Sequence, residues 1–196
     1  MSEAQNSWRK KTILFLISQS VTLLGSQIVQ MAVIWYVTLH TASGVWVAAF
    51  SVCSYLPQFF ISFWGGVWAD RYSRKHLIIC ADAGTAAVTL GMFILLPHIS
   101  QGSMLLHMLL ALSVLRSIGA GIQSPSVNAV IPQLVPKEHL MRYNGINASM
   151  QSAVQFSAPA AAGAALGIGS LRSILLIDIF TAVLGIGLFA CVRLPE

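Results

Sequence analysis

Long apolar runs, each about as long as a bilayer is thick, alternate with short polar breaks along the whole chain. A helix needs about 20 mainly apolar residues to cross the hydrocarbon. Six segments have that length, at roughly 12–38, 45–68, 76–96, 103–123, 142–166 and 171–192. Residues 40–44, 97–102 and 167–170 are short turns between them. In lipid every backbone N–H and C=O must be satisfied inside the protein, and no alternating strand pattern with aromatic girdles is present, so the runs predict helices. The expected fold is all-α and integral to the membrane, with residues 1–11 as a cytoplasmic N-terminal segment and 12–196 as one six-helix domain. The longest connection, 124–141, carries Pro125, Pro132 and Pro136. Pro136 suits the first turn of the fifth helix, with Glu138 near its positive dipole end.

Composition supports lipid as the solvent. Of the 196 residues 56% are hydrophobic and 9% charged, and mean hydropathy is +0.76. A soluble domain is about half apolar but about a quarter charged. The net charge of +5 does not point to nucleic acid, because the bases sit at the ends of apolar runs instead of forming one patch. With a cytoplasmic N-terminus, nine bases share the cytoplasmic side: Arg9, Lys10, Lys11, Arg71, Arg74, Lys75, Lys137, Arg142 and Arg193. Only Arg172 falls outside, which places both termini in the cytoplasm. The first apolar run follows Trp8-Arg9-Lys10-Lys11 as in a signal peptide, but its length and the spans after it mark a retained helix. Cys53, Cys80 and Cys191 lie within apolar runs without metal-like or redox spacing. No nucleophile–base set, metal site or phosphate loop stands out, so neither an enzyme nor a cofactor is expected.

Polar residues inside the spans form stripes. Gln19, Ser26 and Gln30 share one face of the first helix; Ser51, Tyr55, Gln58 and Ser62 mark the second; Asn144, Asn147, Gln151 and Gln155 mark the fifth. Such stripes either hydrogen-bond between helices or line a water-filled cavity. Three stripes favour a cavity lined by Gln19, Ser26, Gln30, Tyr55, Gln58, Arg116, Gln151 and Gln155. The small residues Ser157 to Ala165, with Pro159 and Gly163 among them, let the fifth helix approach a neighbour closely and bend. Arg116 costs about 2.5–3.5 kcal/mol at a span centre and so needs a partner inside the bundle. By depth Asp82 is the expected partner, each lying about two turns from a cytoplasmic helix end, with Asp178 in a separate hydrogen-bonded role. Either Asp82 and Arg116 neutralise each other and hold the bundle, or Arg116 or a carboxylate takes part in proton or substrate coupling. His107 is expected at the outer interface.

Gly66-x-x-x-Asp70-Arg71-x-Ser73-Arg74-Lys75 puts four charges within six residues between two apolar runs. It resembles the loop signature of the major facilitator superfamily, with Ser73 where the pattern has glycine. Leu112-x-x-x-Arg116 with Gly119 and Gly121 resembles the family's helix-4 motif, and Ala158-Pro159 through Gly163 its helix-5 antiporter motif. The macrolide-efflux branch is similar in Arg116-Ser117-Ile118-Gly119, in Pro125 through Leu140, and in Ile177-Asp178 with Val192-Arg193-x-Pro195. The resemblance implies a three-plus-three inverted repeat forming the N-terminal half of a major facilitator fold. It also implies a drug:proton antiporter of the cell (inner or plasma) membrane that exports small amphipathic compounds such as macrolides, with Arg116 linked to proton coupling and Pro159 and Gly163 in a gate. Gly66, Asp70, Arg71, Arg74 and Lys75 are then a cytoplasmic latch, and the partner they are expected to grip is a second six-helix half, from the same locus or supplied in trans. The alternative is a truncated, non-transporting membrane subunit that binds or regulates a partner.

Overall fold

The computed structural model describes the backbone of residues 2–99 and 102–192, with side chains from residue 8 onward. Ser100, Gln101, Arg193 and Pro195, which enter the readings above, lie outside the described residues. The described chain is helical throughout: α1 (Ser2–Thr41), α2 (Gly44–Arg71), α3 (Arg74–Leu95), α4 (Ser103–Leu134), α5 (Leu140–Ile168) and α6 (Leu171–Ala190). Single 3-10 turns at Leu96–His98 and Lys137–His139 follow α3 and precede α5. Pro136 caps the second of these turns, and α5 proper starts later, at Leu140.

Five helices are long and apolar enough to cross a membrane: α1 from Trp8, α2, α3 with its 3-10 turn, α4 and α6. The sequence pattern predicts six. The exception is α5, whose 29 residues are long enough. Its Asn144, Asn147, Gln151 and Gln155, together with a run of alanine, serine and glycine, keep it less apolar than its neighbours.

The largest departure is in α4. It does not end at Gln123 but continues to Leu134, through Pro125 and Pro132. Pro125 lacks the N–H that would bond the Gly121 carbonyl. That carbonyl faces Gly65 of α2 instead, 2.6 Å from where a Cβ on Gly65 would stand. The extension persists because it is packed. Val127, Val130, Ile131 and Leu134 are buried against Phe15 and Leu16 of α1, Ile78 of α3 and Phe189 of α6.

α1 packs against α6 and α5, α4 packs against α2 and α3, and α3 meets α6. The close crossings are made by glycines. A Cβ on Gly25 would collide with Thr181, one on Gly185 with Thr22, and one on Gly119 with Thr85. In α5 the close approach to α1 is made by the fully buried Ala158 and Ala162. Gly163 has open space around it, so its small size is not used within this bundle. Gly102, at φ 138° and ψ −152°, turns the chain into α4 through backbone that only glycine adopts readily.

The core has two apolar clusters. One holds Val29, Val33, Val37, Phe50, Leu109 and Ile174; the other holds Phe15, Ile78, Val130, Ile131 and Phe189. Between them, on every helix that contributes to both, lies a polar layer: Gln19, Thr22 and Ser26 of α1, Asp82, Thr85 and Thr89 of α3, Arg116 and Gln123 of α4, and Asp178 of α6. The candidate site is in that layer.

Candidate functional site

Several hydroxyls on these helices bond to their own backbone. Ser18 Oγ donates to Phe15 O, Thr22 Oγ1 to Ser18 O and Thr85 Oγ1 to Ala81 O. Such back-bonding satisfies a hydroxyl at no cost in partners, which lets it sit inside a bundle. The charged groups cannot do this and reach across helices.

Arg116 ties four helices together. Its Nη1 donates to Asp178 Oδ2 of α6 at 2.5 Å and to Thr89 Oγ1 of α3. Its Nη2 donates to Ser26 of α1, at 2.9 Å to Oγ and 3.3 Å to the carbonyl. Thr89 Oγ1 donates in turn to Asp178 Oδ2 at 2.9 Å. Both ions are buried, with side-chain exposures of 8% and 4%.

Arg116 therefore pairs with Asp178, and the expected pair with Asp82 does not form. The reason is depth. Ending the fourth helix at Gln123 puts Arg116 near the cytoplasmic end, whereas α4 runs eleven residues further. At 1.5 Å per residue that is about 16 Å, enough to raise Arg116 to the level of Thr89 and Asp178. Asp82 instead accepts a 2.6 Å hydrogen bond from Gln123 Nε2, which lies 3.5 Å from Gln19 Oε1.

A narrow crevice of about 30 Å³ opens beside Arg116 between α1, α2 and α4. Its polar lining is Ser26 and Gln30 of α1, Ser54 and Gln58 of α2, and Ser113, Arg116 and Ser117 of α4; Val29, Val33 and Leu112 supply apolar walls. The Ser117 hydroxyl is buried without a hydrogen-bond partner. The crevice has room for about two waters, well below the about 300–1,000 Å³ of a small-molecule site, although the mix of apolar wall and a few convergent polar groups is typical of such sites.

Four of the predicted cavity residues, Ser26, Gln30, Gln58 and Arg116, thus come together. Gln19 lies beyond Arg116, in the Asp82 group. The other three do not join the crevice. Tyr55 is on the exposed face of α2 beside Phe59, Gln155 is exposed on α5, and Gln151 is half-buried there. Sequence reasoning passed over Thr89 and Gln123. Each stands seven residues, two helical turns, from a charge already singled out (Asp82 and Arg116), and that spacing was the available signal.

The charged loop divides in two. Arg74 Nε donates to Ala69 O at 3.1 Å, and its Nη2 lies 3.8 Å from Asp70. Lys75 Nζ donates to Ala190 O and Val192 O, at 2.8 and 2.7 Å, closing the C-terminal end of α6. The Asp70 side chain is 80% exposed, and Arg71 is also exposed. Ser73 adopts φ −58° and ψ 114°, ordinary backbone, so serine fits where the signature has glycine. A Cβ on Gly66 would meet nothing within 4 Å.

Apolar helices of spanning length, folded around a buried charge pair and a polar crevice, define a multi-pass membrane protein. The chain belongs to the Major Facilitator Superfamily, whose family profile matches residues 15–196. It is 33% identical over 199 residues to macrolide efflux protein A of Streptococcus pyogenes, covering 99% of this chain and 47% of that protein. Macrolide efflux protein A of Enterococcus faecalis is 31% identical over 155 residues, covering 76% of this chain and 46% of the relative. The staphyloferrin A transporter of Staphylococcus aureus is 23% identical over 154 residues, covering 79% and 38% respectively. The chain spans about half the length of the curated relatives it matches. No solved structure matches.

Proposed function

We propose that this chain forms the N-terminal six-helix half of a proton-coupled exporter of amphipathic drugs, macrolides among them, in the cell membrane. Both termini face the cytoplasm, and a second six-helix half completes the translocation path. The observation that carries the reading is the crevice between α1, α2 and α4, where Arg116 is held beside Ser26, Gln30 and Gln58. A polar crevice deep in an apolar bundle suits one wall of a solute path that a second half would complete. The similarity to macrolide efflux protein A supports the substrate class.

We also read α5 as a span. Its exposed polar residues then face the path shared with the second half instead of lipid, as does Tyr55 of α2. Helix contacts support an inverted three-plus-three repeat. Exchanging α1 with α4, α2 with α5 and α3 with α6 converts the α2–α4 contact into α5–α1 and the α1–α6 contact into α4–α3; α3–α6 maps onto itself. In the latch, Asp70 and Arg71 remain available to the second half, and a carboxylate such as Asp70 suits a partner helix N-terminus. Pro159 gives α5 its point of bending.

The test is macrolide accumulation in cells carrying the whole locus, with and without an uncoupler. Accumulation should fall when the locus is expressed and recover when the proton gradient is collapsed. Unchanged accumulation, together with copurification of the chain with another membrane protein, would favour a non-transporting subunit instead.

A further inference from the structure

We propose that the junction of α1 and α5, at the end of the bundle where the bases collect, binds the headgroup of an anionic phospholipid. The inference goes beyond the exporter reading and does not depend on it. Trp8, where the first span begins, joins the two helices. Its ring stacks on His139, with 5.5 Å between centroids and 21° between planes, and meets the Tyr143 ring edge-on at 5.6 Å and 70°. Thr12 Oγ1 donates to the Trp8 carbonyl at 2.9 Å. Trp8, Leu140 and Tyr143 all pack, half-buried, on the apolar cluster around Phe15. This contact brings together two sets of bases that are far apart in the chain: Arg9, Lys10 and Lys11 of α1, and Lys137 and Arg142 on either side of His139.

Other bases on this face are already engaged within the protein. Arg74 bonds the Ala69 carbonyl, and Lys75 bonds the carbonyls at the end of α6. Among the described residues none of the five at the junction forms a salt bridge. Arg9, Lys10, Lys137 and Arg142 are exposed, and Lys11 is half-buried. The Arg9 guanidinium lies 5.5 Å from the Trp8 ring centroid, a cation–π contact that holds it at the junction. Glu138 is the one acid of the turn between Lys137 and His139. Five cations held together beside one carboxylate set up a positive potential that draws in an anion.

Depth decides which anion fits. Trp and Tyr rings sit at the boundary between lipid and water, so Trp8 and Tyr143 set the headgroup level. The bases next to them in sequence therefore lie at the level of the lipid phosphates. Directly beneath, Arg9, Ile13 and Ile17 follow one another at four-residue spacing on one face of α1, and both isoleucines are exposed. A base above an apolar stripe matches a phosphate above acyl chains. The phosphate accepts from the guanidinium and ammonium groups, and the chains cover the isoleucines. A lipid held this way bridges α1 and α5 beside Trp8. The bridge counts because α5 packs chiefly on α1 and has little else to hold it in the bundle.

Native mass spectrometry of the chain, released from vesicles of phosphatidylglycerol and phosphatidylcholine in equal amounts, tests this. The expected result is retention of phosphatidylglycerol in preference to phosphatidylcholine. Replacing Arg9, Lys10 and Lys11 by Gln should weaken retention about fivefold per base removed. Arg172→Gln, at the opposite end of the bundle, should leave it unchanged. Trp8→Ala keeps every base but releases α1 from α5, so retention should fall there and return in Trp8→Phe. Equal retention of the two lipids overturns the proposal. So does full retention in Trp8→Ala, which would assign the attraction to diffuse surface charge. Displacement of the lipid by inorganic phosphate at constant ionic strength would overturn it in favour of a free-anion site. If the triple variant does not insert, Lys137→Gln with Arg142→Gln decides: weakened retention supports the site and unchanged retention refutes it. Should the lipid be held as expected while the whole locus moves no drug, the exporter reading fails and the lipid site stands.

Discussion

Arg116 makes contacts with three other helices at once, and its energetics follow from burial. A buried ion pair contributes little over a well-packed apolar pair, because desolvation offsets the Coulomb gain. Removing one partner strands the other, at a cost of about 3–5 kcal/mol. Arg116→Ala and Asp178→Ala should each lose about that much in denaturant unfolding of the detergent-solubilised chain. The exchanged double mutant, Arg116→Asp with Asp178→Arg, should recover most of it. An exchange with Asp82 (Arg116→Asp with Asp82→Arg) should recover nothing, and recovery there would disprove the observed pairing. Thr89→Val should cost about 1–3 kcal/mol, since it removes one hydrogen bond from each of two buried ions, Arg116 and Asp178, which keep only each other at those atoms. These charges were visible in the sequence as rare residues in apolar runs. Which carboxylate meets the arginine was not, because it depends on helix depth, and Pro125 disguised where α4 ends.

Among the elements, α2 and α4 cross at backbone contact, and two adjacent glycines behave oppositely. A Cβ on Gly65 would stand 2.6 Å from the Gly121 carbonyl and 3.0 Å from Pro125 Cγ, while Gly66 faces open space. Gly65→Ala must push α2 from α4 and should cost about 1–3 kcal/mol. Gly66→Ala should leave the isolated chain's stability within about 0.5 kcal/mol of wild type. Thermal unfolding of the two variants side by side checks this, and equal effects would contradict the crossing. Lys75 provides a second test. It closes the last turn of α6 through two carbonyls, and a cation is favoured at that dipole end. Lys75→Ala should speed hydrogen exchange in the last turn of α6 and leave exchange in the middle of α6 unchanged. The period and length of the helices were legible in the sequence. The extension of α4 was not, because proline reads locally as a breaker while packing on Phe15, Ile78 and Phe189 keeps the helix intact.

For the whole molecule, the distribution of bases predicts a topology. With the native cysteines replaced by serine, Ser73→Cys should react with a membrane-impermeant thiol reagent only from the cytoplasmic side of inverted vesicles. Ser43→Cys and Ser103→Cys should react only from outside intact cells, and the reverse pattern would invert the proposed orientation. The exposed aromatic residues of α2, including Tyr55, Phe59, Phe63 and Trp64, are exposed in the bundle by itself.

The charged stretch around Asp70 and the apolar runs beside it were enough to determine a helical membrane protein of this superfamily, since hydropathy and loop chemistry are local properties. Only the tertiary structure decided that Arg116 belongs with Asp178, that Asp82 sits apart with Gln123, and that Lys75 turns back onto α6. It also decided which parts of the polar stripes converge on a crevice. These outcomes depend on the relative depth and rotation of helices, which are set by glycine crossings and long-range packing instead of by any one segment.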